Sequence, residues 1–209
     1  MSPLTRRVSL VVVLSAVFVY ISMVRAPMAE AGLFDDIGDS LSTKNIGDPS
    51  MVTAGKDLYV VRGDRVYKFD VRGLRPEGNV VLPRVPKSGT SASLAVGNDV
   101  FVVKDDKVNR VAMDPLEVQA SADMDHSAGN SGAGVVALDG FLFVAVEDRV
   151  YKFELATLAR QGVVKLEDAP KLGLPVMVAN GGSLFVLKDN RLYEVDPGAL
   201  TVRGRVDAD

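Results

Sequence analysis

Apolar and polar residues along the chain follow a pattern that occurs four times. A short, mostly apolar run is followed by a polar turn and then by a second run in which apolar and polar residues alternate. The four copies read LYVVRGDRVYKFD from Leu58, VFVVKDDKVNRVA from Val100, LFVAVEDRVYKFE from Leu142 and LFVLKDNRLYEVD from Leu184. Each copy begins 42 residues after the previous one, without insertion or deletion. The spacing predicts four equivalent structural units.

Each unit contains four short apolar segments, which we interpret as strands. The turn between the second and third segments is rich in Gly, Asp and Asn, residues that tolerate positive φ and therefore suit a hairpin. Four strands in a period of about 40–45 residues are typical of a β-propeller blade. Packing of blade on blade covers both faces of a sheet, which explains why the second segments are almost continuously apolar. We predict an all-β fold, a β-propeller of four 42-residue, four-stranded antiparallel blades over residues 51–209.

The ring of blades can be closed in two ways. One chain closes four blades on themselves, or two chains combine into a homodimer with eight blades. An open array would expose sheet faces and edges, which favours association. We adopt closure by a single chain as the expectation.

The motif from Tyr59 to Asp70, with the order Tyr-Val-Val-Arg-Gly-Asp-Arg-Val-Tyr-Lys-Phe-Asp, resembles known blade repeats. It is similar to propeller repeats of the quinoprotein-like, YVTN and NHL type, and also to hemopexin-like blades, whose domains have four blades. The resemblance covers residues 51–209 and implies a blade rather than a particular chemistry. Quinoprotein dehydrogenases carry a Trp in each repeat, whereas this chain has none. The resemblance therefore implies no quinone, and we predict no cofactor.

The residues before the repeats have the pattern of an export signal. Arg6 and Arg7 precede an uncharged apolar run over residues 8–24, and small residues at Ala29 and Ala31 predict cleavage after Ala31. The run is also long enough, at the lower limit, to span a membrane, so a retained inner-membrane anchor through residues 8–24 is the alternative.

In both cases the repeats would lie outside the cytoplasm. The predicted organisation is a signal peptide or N-terminal membrane anchor over residues 1–31, a linker over residues 32–50, and a periplasmic or extracellular propeller over residues 51–209.

Charge and cysteine content exclude several function classes. Residues 32–209 carry 21 Lys and Arg against 26 Asp and Glu, a net charge of −5 without a basic cluster. Nucleic-acid binding needs clustered cations, so we predict no nucleic-acid partner. The chain has no cysteine, which excludes disulfides, thiolate metal sites and a Cys nucleophile.

Aligned polar positions are the first place to look for chemistry. A ring of oxygen ligands at the hairpin turns could hold a hard cation. Hairpin turns require the same residue types, and this is the interpretation we adopt, with no metal site. The aligned residues are Asp64, Asp106, Asp148 and Asn190.

The single histidine, His126, is the other candidate. With Asp125 or Asp123 it could act as a general base, with Ser127 or Ser131 as nucleophile in a hydrolase or lyase. We interpret this segment instead as a solvated loop and predict no catalytic residue, because adjacency in sequence does not make a triad.

The loops between blades, residues 83–92, 125–134 and 167–176, are expected to lie on one face and to carry binding. We predict an exported or membrane-anchored, non-catalytic module that binds a protein partner or acts as a scaffold. The alternatives are a propeller that binds a small ligand or cation and an enzyme that uses His126. The predicted partner-contacting residues are Arg84, Lys87, His126, Asn130, Asp168 and Lys171.

Overall fold

Sixteen β-strands form the regular structure of the described part of the chain, which in the computed structural model comprises residues 47–128, 132–170 and 173–207. Blade 1 contains β1 Ser50–Ala54, β2 Asp57–Arg62, β3 Arg65–Asp70 and β4 Arg75–Val81. Blade 2 contains β5 Ser91–Val96, β6 Asp99–Lys104, β7 Lys107–Met113 and β8 Leu116–Asp123. Blade 3 contains β9 Gly134–Leu138, β10 Phe141–Val146, β11 Arg149–Glu154 and β12 Arg160–Lys165. Blade 4 contains β13 Val176–Asn180, β14 Ser183–Lys188, β15 Arg191–Asp196 and β16 Thr201–Asp207.

Each blade is a four-stranded antiparallel meander in which neighbouring strands pair in chain order. The all-β propeller of four repeated blades predicted from the sequence is confirmed. The second and third strands are joined by two-residue turns, as the pairings of Arg62 with Arg65 and of Lys104 with Lys107 show. The first residue of each turn has positive φ, between 51° and 58°, which explains the turn residues of the motif. These first turn residues are Gly63, Asp105, Glu147 and Asp189.

Three apolar layers hold consecutive blades together. We call the side of a blade that packs on the next blade its forward face and the other side its backward face. Alternate residues of a strand point to opposite sides, so Phe143 of β10 packs forward on blade 4 while Val144 packs backward on blade 2. The almost continuously apolar second strands follow from this two-sided burial, as predicted. The layers include Tyr59, Val61 and Val100 between blades 1 and 2, Phe101, Val103 and Leu142 between blades 2 and 3, and Phe143, Leu184 and Val186 between blades 3 and 4.

The first strands of the blades lie innermost and contact one another in order, β1 with β5, β5 with β9 and β9 with β13. Among the described residues, apolar side chains are exposed on both terminal faces. Leu74 on the backward face of blade 1 is 60% exposed, whereas its counterpart Leu158 in blade 3 is 2% exposed. Leu187 on the forward face of blade 4 is 37% exposed, whereas its counterpart Val103 in blade 2 is fully buried. A ring closed by one chain would bury these faces against each other, so the exposure of Leu74 and Leu187 argues against the expectation of single-chain closure.

The predicted export segment and most of the linker lie outside the described residues. Among the residues that the structure describes, no helix is long and apolar enough to cross a membrane.

Candidate functional site

The hairpin turns between second and third strands and the loops between blades lie at the same end of the blades, because each meander returns to that end after its fourth strand. We call this end the loop face. Backbone hydrogen bonds fix it: the N–H groups of Leu82, Met124 and Leu166 donate to the carbonyls of Asp64, Asp106 and Asp148, each at 2.7 Å. The chain leaving the outer strand is therefore tied to the hairpin turn of its own blade.

A buried apolar side chain anchors the start of each loop. Leu82, Met124 and Leu166 occupy equivalent repeat positions and are buried. Two residues later, at equivalent positions again, the chain carries Arg84, His126 and Asp168. Arg84 and Asp168 adopt the left-handed conformation, with φ of 55° and 59°, and are exposed. His126 is half-buried and does not share this left-handed conformation. Equivalent positions after the anchors thus carry a cation, an imidazole and an anion on three neighbouring blades.

His126 does not pair with either aspartate considered from the sequence. Its Nδ1 lies 2.8 Å from Oε2 of Glu147, which stands in the hairpin turn of blade 3. Asp125 Oδ2 accepts a hydrogen bond from Arg160 Nη1 at 2.8 Å. Asp123 Oδ1 lies 2.5 Å from Lys107 Nζ, and the hydrogen bond from Lys107 lowers the pKa of the Asp123 carboxyl. Each aspartate is engaged by a cation rather than by the imidazole.

Of the proposed nucleophiles, Ser127 donates its hydroxyl hydrogen bond to Asp105. Ser131 lies outside the described residues, as do the predicted partner contacts Asn130 and Lys171.

The aligned turn residues pair with the cation that follows them. The carboxylates of Asp64, Asp106 and Asp148 lie 4.0, 3.2 and 3.7 Å from the side-chain nitrogens of Arg65, Lys107 and Arg149. Asn190, at the fourth turn, is exposed. Within the described ranges, no group of three or more His, Cys, Asp or Glu is placed to hold a metal ion.

Asp168 and Lys87 complete the described part of the loop face. Asp168 Oδ2 pairs with Arg205 of β16, and this hydrogen bond is the main reason that the pKa of Asp168 is lowered. Arg191 donates to the backbone carbonyl of Asp168. Lys87 is exposed, and its carbonyl accepts from the N–H of Gly47 at 3.3 Å.

Two buried lysines hold the loops through hydrogen bonds to loop carbonyls. Lys104 and Lys188 end the second strands of blades 2 and 4, are at most 1% exposed, and donate from Nζ to the carbonyls of Gly89 and Gly173. Burial lowers the pKa of both ammonium groups. The sequence analysis missed this role. The available signal was a cation ending an otherwise apolar strand, which occurs in blades 2 and 4 as lysine and in blade 1 as Arg62, where blade 3 has Val146.

A pocket of about 200 Å³ lies at the opposite end of blades 3 and 4, between Phe141, Phe143 and Pro197. Its cation, Lys152, donates to the Pro197 carbonyl at 2.8 Å and sits 4.0 Å from the centroid of the Phe141 ring. The ammonium group in this pocket therefore serves contact between blades.

Comparison with known proteins identifies the fold. No family model and no curated protein matches the chain. Among solved structures, it is similar to a chain in the crystal structure of the mitotic checkpoint complex, with 11% identity, a TM-score of 0.61, and 76% of this chain and 50% of that chain covered. It is also similar to a chain of Kuenenia stuttgartiensis hydrazine synthase, with 15% identity, a TM-score of 0.63, and coverage of 80% and 51%. The chain therefore spans about half the length of these neighbours, and the likeness supports the β-propeller fold.

Proposed function

We propose that the chain is a non-catalytic interaction module that binds a protein partner through the loop face. The observation that carries the proposal is the presentation of Arg84, His126 and Asp168 at equivalent, anchored positions of three neighbouring blades. The groups differ in charge but each stands two residues after a buried anchor, which suits recognition of a charge pattern on a partner surface.

Pre-organisation of the loops supports this proposal. Leu82, Met124 and Leu166 are buried below the loops, and the carbonyls of two loops are held by Lys104 and Lys188. Loops that are ordered before binding lose less conformational entropy when a partner docks. The face can therefore use its polar contacts for affinity and specificity.

The ion pairs described above also favour binding over catalysis. Asp123 and Asp125 are engaged by Lys107 and Arg160, so neither is placed beside His126 as an orienting group. The carboxylate beside His126 belongs to Glu147 instead, and Ser127 is bonded to Asp105. This arrangement cross-links a loop to hairpin turns rather than directing a base at a nucleophile.

Photo-crosslinking in the native host tests the proposal. A photoreactive amino acid replaces Lys87 on the loop face or, as the matched control, Lys56 in the exposed turn at the opposite end. We expect a discrete protein adduct from position 87 that is absent from position 56 and is lost when Arg84→Glu is added. Equal adducts from both positions, or none from position 87, would contradict the proposal. A turnover abolished by His126→Ala in a folded protein would favour the enzyme instead.

We also propose that the module is exported, either by cleavage after Ala31 or with residues 8–24 kept as an anchor. The sequence pattern of residues 1–31 motivates this part of the proposal. Intact mass of the protein isolated from its host distinguishes the two forms. Recovery of the full-length chain as a soluble cytoplasmic protein would contradict both.

A further inference from the structure

The two terminal faces are made of the positions that form the internal apolar layers. On blade 1, Leu58, Val60 and Phe69 are half-buried and Leu74 is exposed. Leu58, Val60, Phe69 and Leu74 on blade 1 correspond to Leu142, Val144, Phe153 and Leu158 on blade 3, all of which are buried against blade 2. On blade 4, Val178, Leu187 and Val206 correspond to Leu94, Val103 and Ala122, which pack on blade 3. Each terminal face is therefore one half of an interface whose other half stands at the opposite end of the chain.

We propose that a second copy of this chain covers both faces. Blade 4 of each copy packs on blade 1 of the other, and the two equivalent junctions close an eight-blade ring with twofold symmetry. Such a ring leaves no terminal sheet face exposed, which removes the surface that otherwise promotes further association.

A contact from a cation of one blade to a backbone carbonyl of the next blade recurs along the chain, which indicates the order of blades across the new junction. Lys68 Nζ donates to the Met113 carbonyl at 3.4 Å between blades 1 and 2, and Lys152 Nζ donates to the Pro197 carbonyl at 2.8 Å between blades 3 and 4. The buried lysines that hold the loops occur in blades 2 and 4. The contacts run from each blade to the one that follows it, so blade 4 is expected to contact a blade of the blade 1 kind.

The charges at the new junction are complementary. At the junction of blades 2 and 3, Arg110 occupies the position equivalent to Lys68 and Lys152. It donates to the carbonyl of Ala156, in the turn between the third and fourth strands of blade 3. The equivalent position of blade 4 carries Glu194, and the equivalent turn of blade 1 carries the exposed Arg72.

The cation and carbonyl of the internal junctions are therefore replaced by a carboxylate and a guanidinium. The contacts of Glu194 with Ser183 and Arg203 both use Oε1. Its other oxygen can then accept from Arg72 of a second copy.

Light scattering with charge-swap variants of the full chain tests the proposal. We expect the parent to be a dimer, and Glu194→Arg or Arg72→Glu alone to raise the dimer Kd by about tenfold or more, since each places like charges at both junctions. The double variant should regain the parent Kd. Glu117→Arg, on an exposed position of β8 away from both terminal faces, is the control, and circular dichroism checks that every variant retains its strands. A monomeric parent, or failure of the double variant to regain dimerisation, overturns the proposal.

Crosslinking distinguishes the possible closures, because the chain has no cysteine of its own. In the variant with both Arg72→Cys and Glu194→Cys, a short bismaleimide should produce covalent dimers. Crosslinked monomers would indicate single-chain closure, and a ladder of larger species would indicate an open polymer. Either of these results overturns the two-chain ring.

Discussion

Tyr151 and Tyr193 occupy the same position of the repeat, in β11 and β15, and their hydroxyl groups are in opposite situations. Both side chains are fully buried. Tyr193 Oη donates to the Glu167 carbonyl at 3.1 Å, whereas Tyr151 Oη has no hydrogen-bond partner among the described residues. The same substitution, Tyr→Phe, should therefore change the free energy of unfolding in opposite directions at the two sites.

The expected magnitudes follow from hydrogen-bond energetics. A buried polar group without a partner costs about 1–3 kcal/mol, and a satisfied hydrogen bond contributes about 0.5–1.5 kcal/mol. Tyr151→Phe should therefore raise the free energy of unfolding by about 1 kcal/mol or more, and Tyr193→Phe should lower it by about 1 kcal/mol. The packing of the ring against Phe153, with centroids 6.2 Å apart, is available to phenylalanine as well.

Urea unfolding of the full chain measures this difference. The midpoint should move up for Tyr151→Phe and down for Tyr193→Phe, while an unchanged slope with urea shows that the surface exposed on unfolding is the same. If Tyr151→Phe destabilises the protein as much as Tyr193→Phe, the Tyr151 hydroxyl has a hydrogen-bond partner and our reasoning is refuted.

Tyr151→Phe should also change how stability depends on pH at high pH. Burial is the main cause that raises the pKa of Tyr151 above 10.0, because it disfavours the phenolate. Between the unfolded and folded pKa values the folded state binds more protons, so stability falls as the pH rises through this window. One such group contributes a slope of at most about 1.4 kcal/mol per pH unit, and Tyr151→Phe should remove this contribution.

Three further substitutions are each checked by one measurement. Asn109→Val should raise the free energy of unfolding by about 1–3 kcal/mol, since both polar atoms of this buried amide lack partners among the described residues, while the exposed control Gln119→Val should change it by less than about 0.5 kcal/mol; equal urea midpoints for both variants would contradict this. Lys104→Met should flatten stability against pH, because burial places the folded pKa of Lys104 below its unfolded value and stability therefore rises with pH up to the unfolded pKa; parallel parent and variant profiles between pH 7 and about 10 would argue against the burial. Gly134→Ala should lower stability by about 1–3 kcal/mol, since its Cβ would lie 2.9 Å from the Pro175 carbonyl oxygen between β9 and β13; an unchanged melting temperature would show that these strands move apart freely.

Local sequence patterns were sufficient to predict the blades. The hairpin turn at Gly63 and the two-sided burial of Phe143 and Val144 follow from turn chemistry and from the alternation of side chains along a strand. Both properties are set by residues close together in the chain, and the fixed period transfers them from one blade to the next.

Properties that depend on contacts between blades could not be predicted in the same way. The pairing of His126 with Glu147 joins residues 21 positions apart across a blade junction, and nothing in either local segment indicates it. Ring closure depends on the angles between all consecutive blades, which a local sequence pattern does not encode. Leu74 and Leu158 therefore occupy the same repeat position although the first is exposed and the second is buried. Likewise, the sequence shows a cation at Lys188 but does not indicate that its ammonium group donates to the carbonyl of Gly173.

The residues that anchor the loops are different from the residues whose side chains point outward, and this has a consequence for how the protein can diverge. Loop positions are fixed by Leu82, Met124 and Leu166 and by the backbone carbonyls of the hairpin turns, whereas the outward side chains stand two residues further on. Substitutions at the displayed positions leave these anchors untouched, and they change only the contacts that the displayed side chains make themselves, such as His126 with Glu147. A lineage can therefore change the charge pattern of the loop face by exchanging a few of these side chains, without compensating changes at the buried anchors.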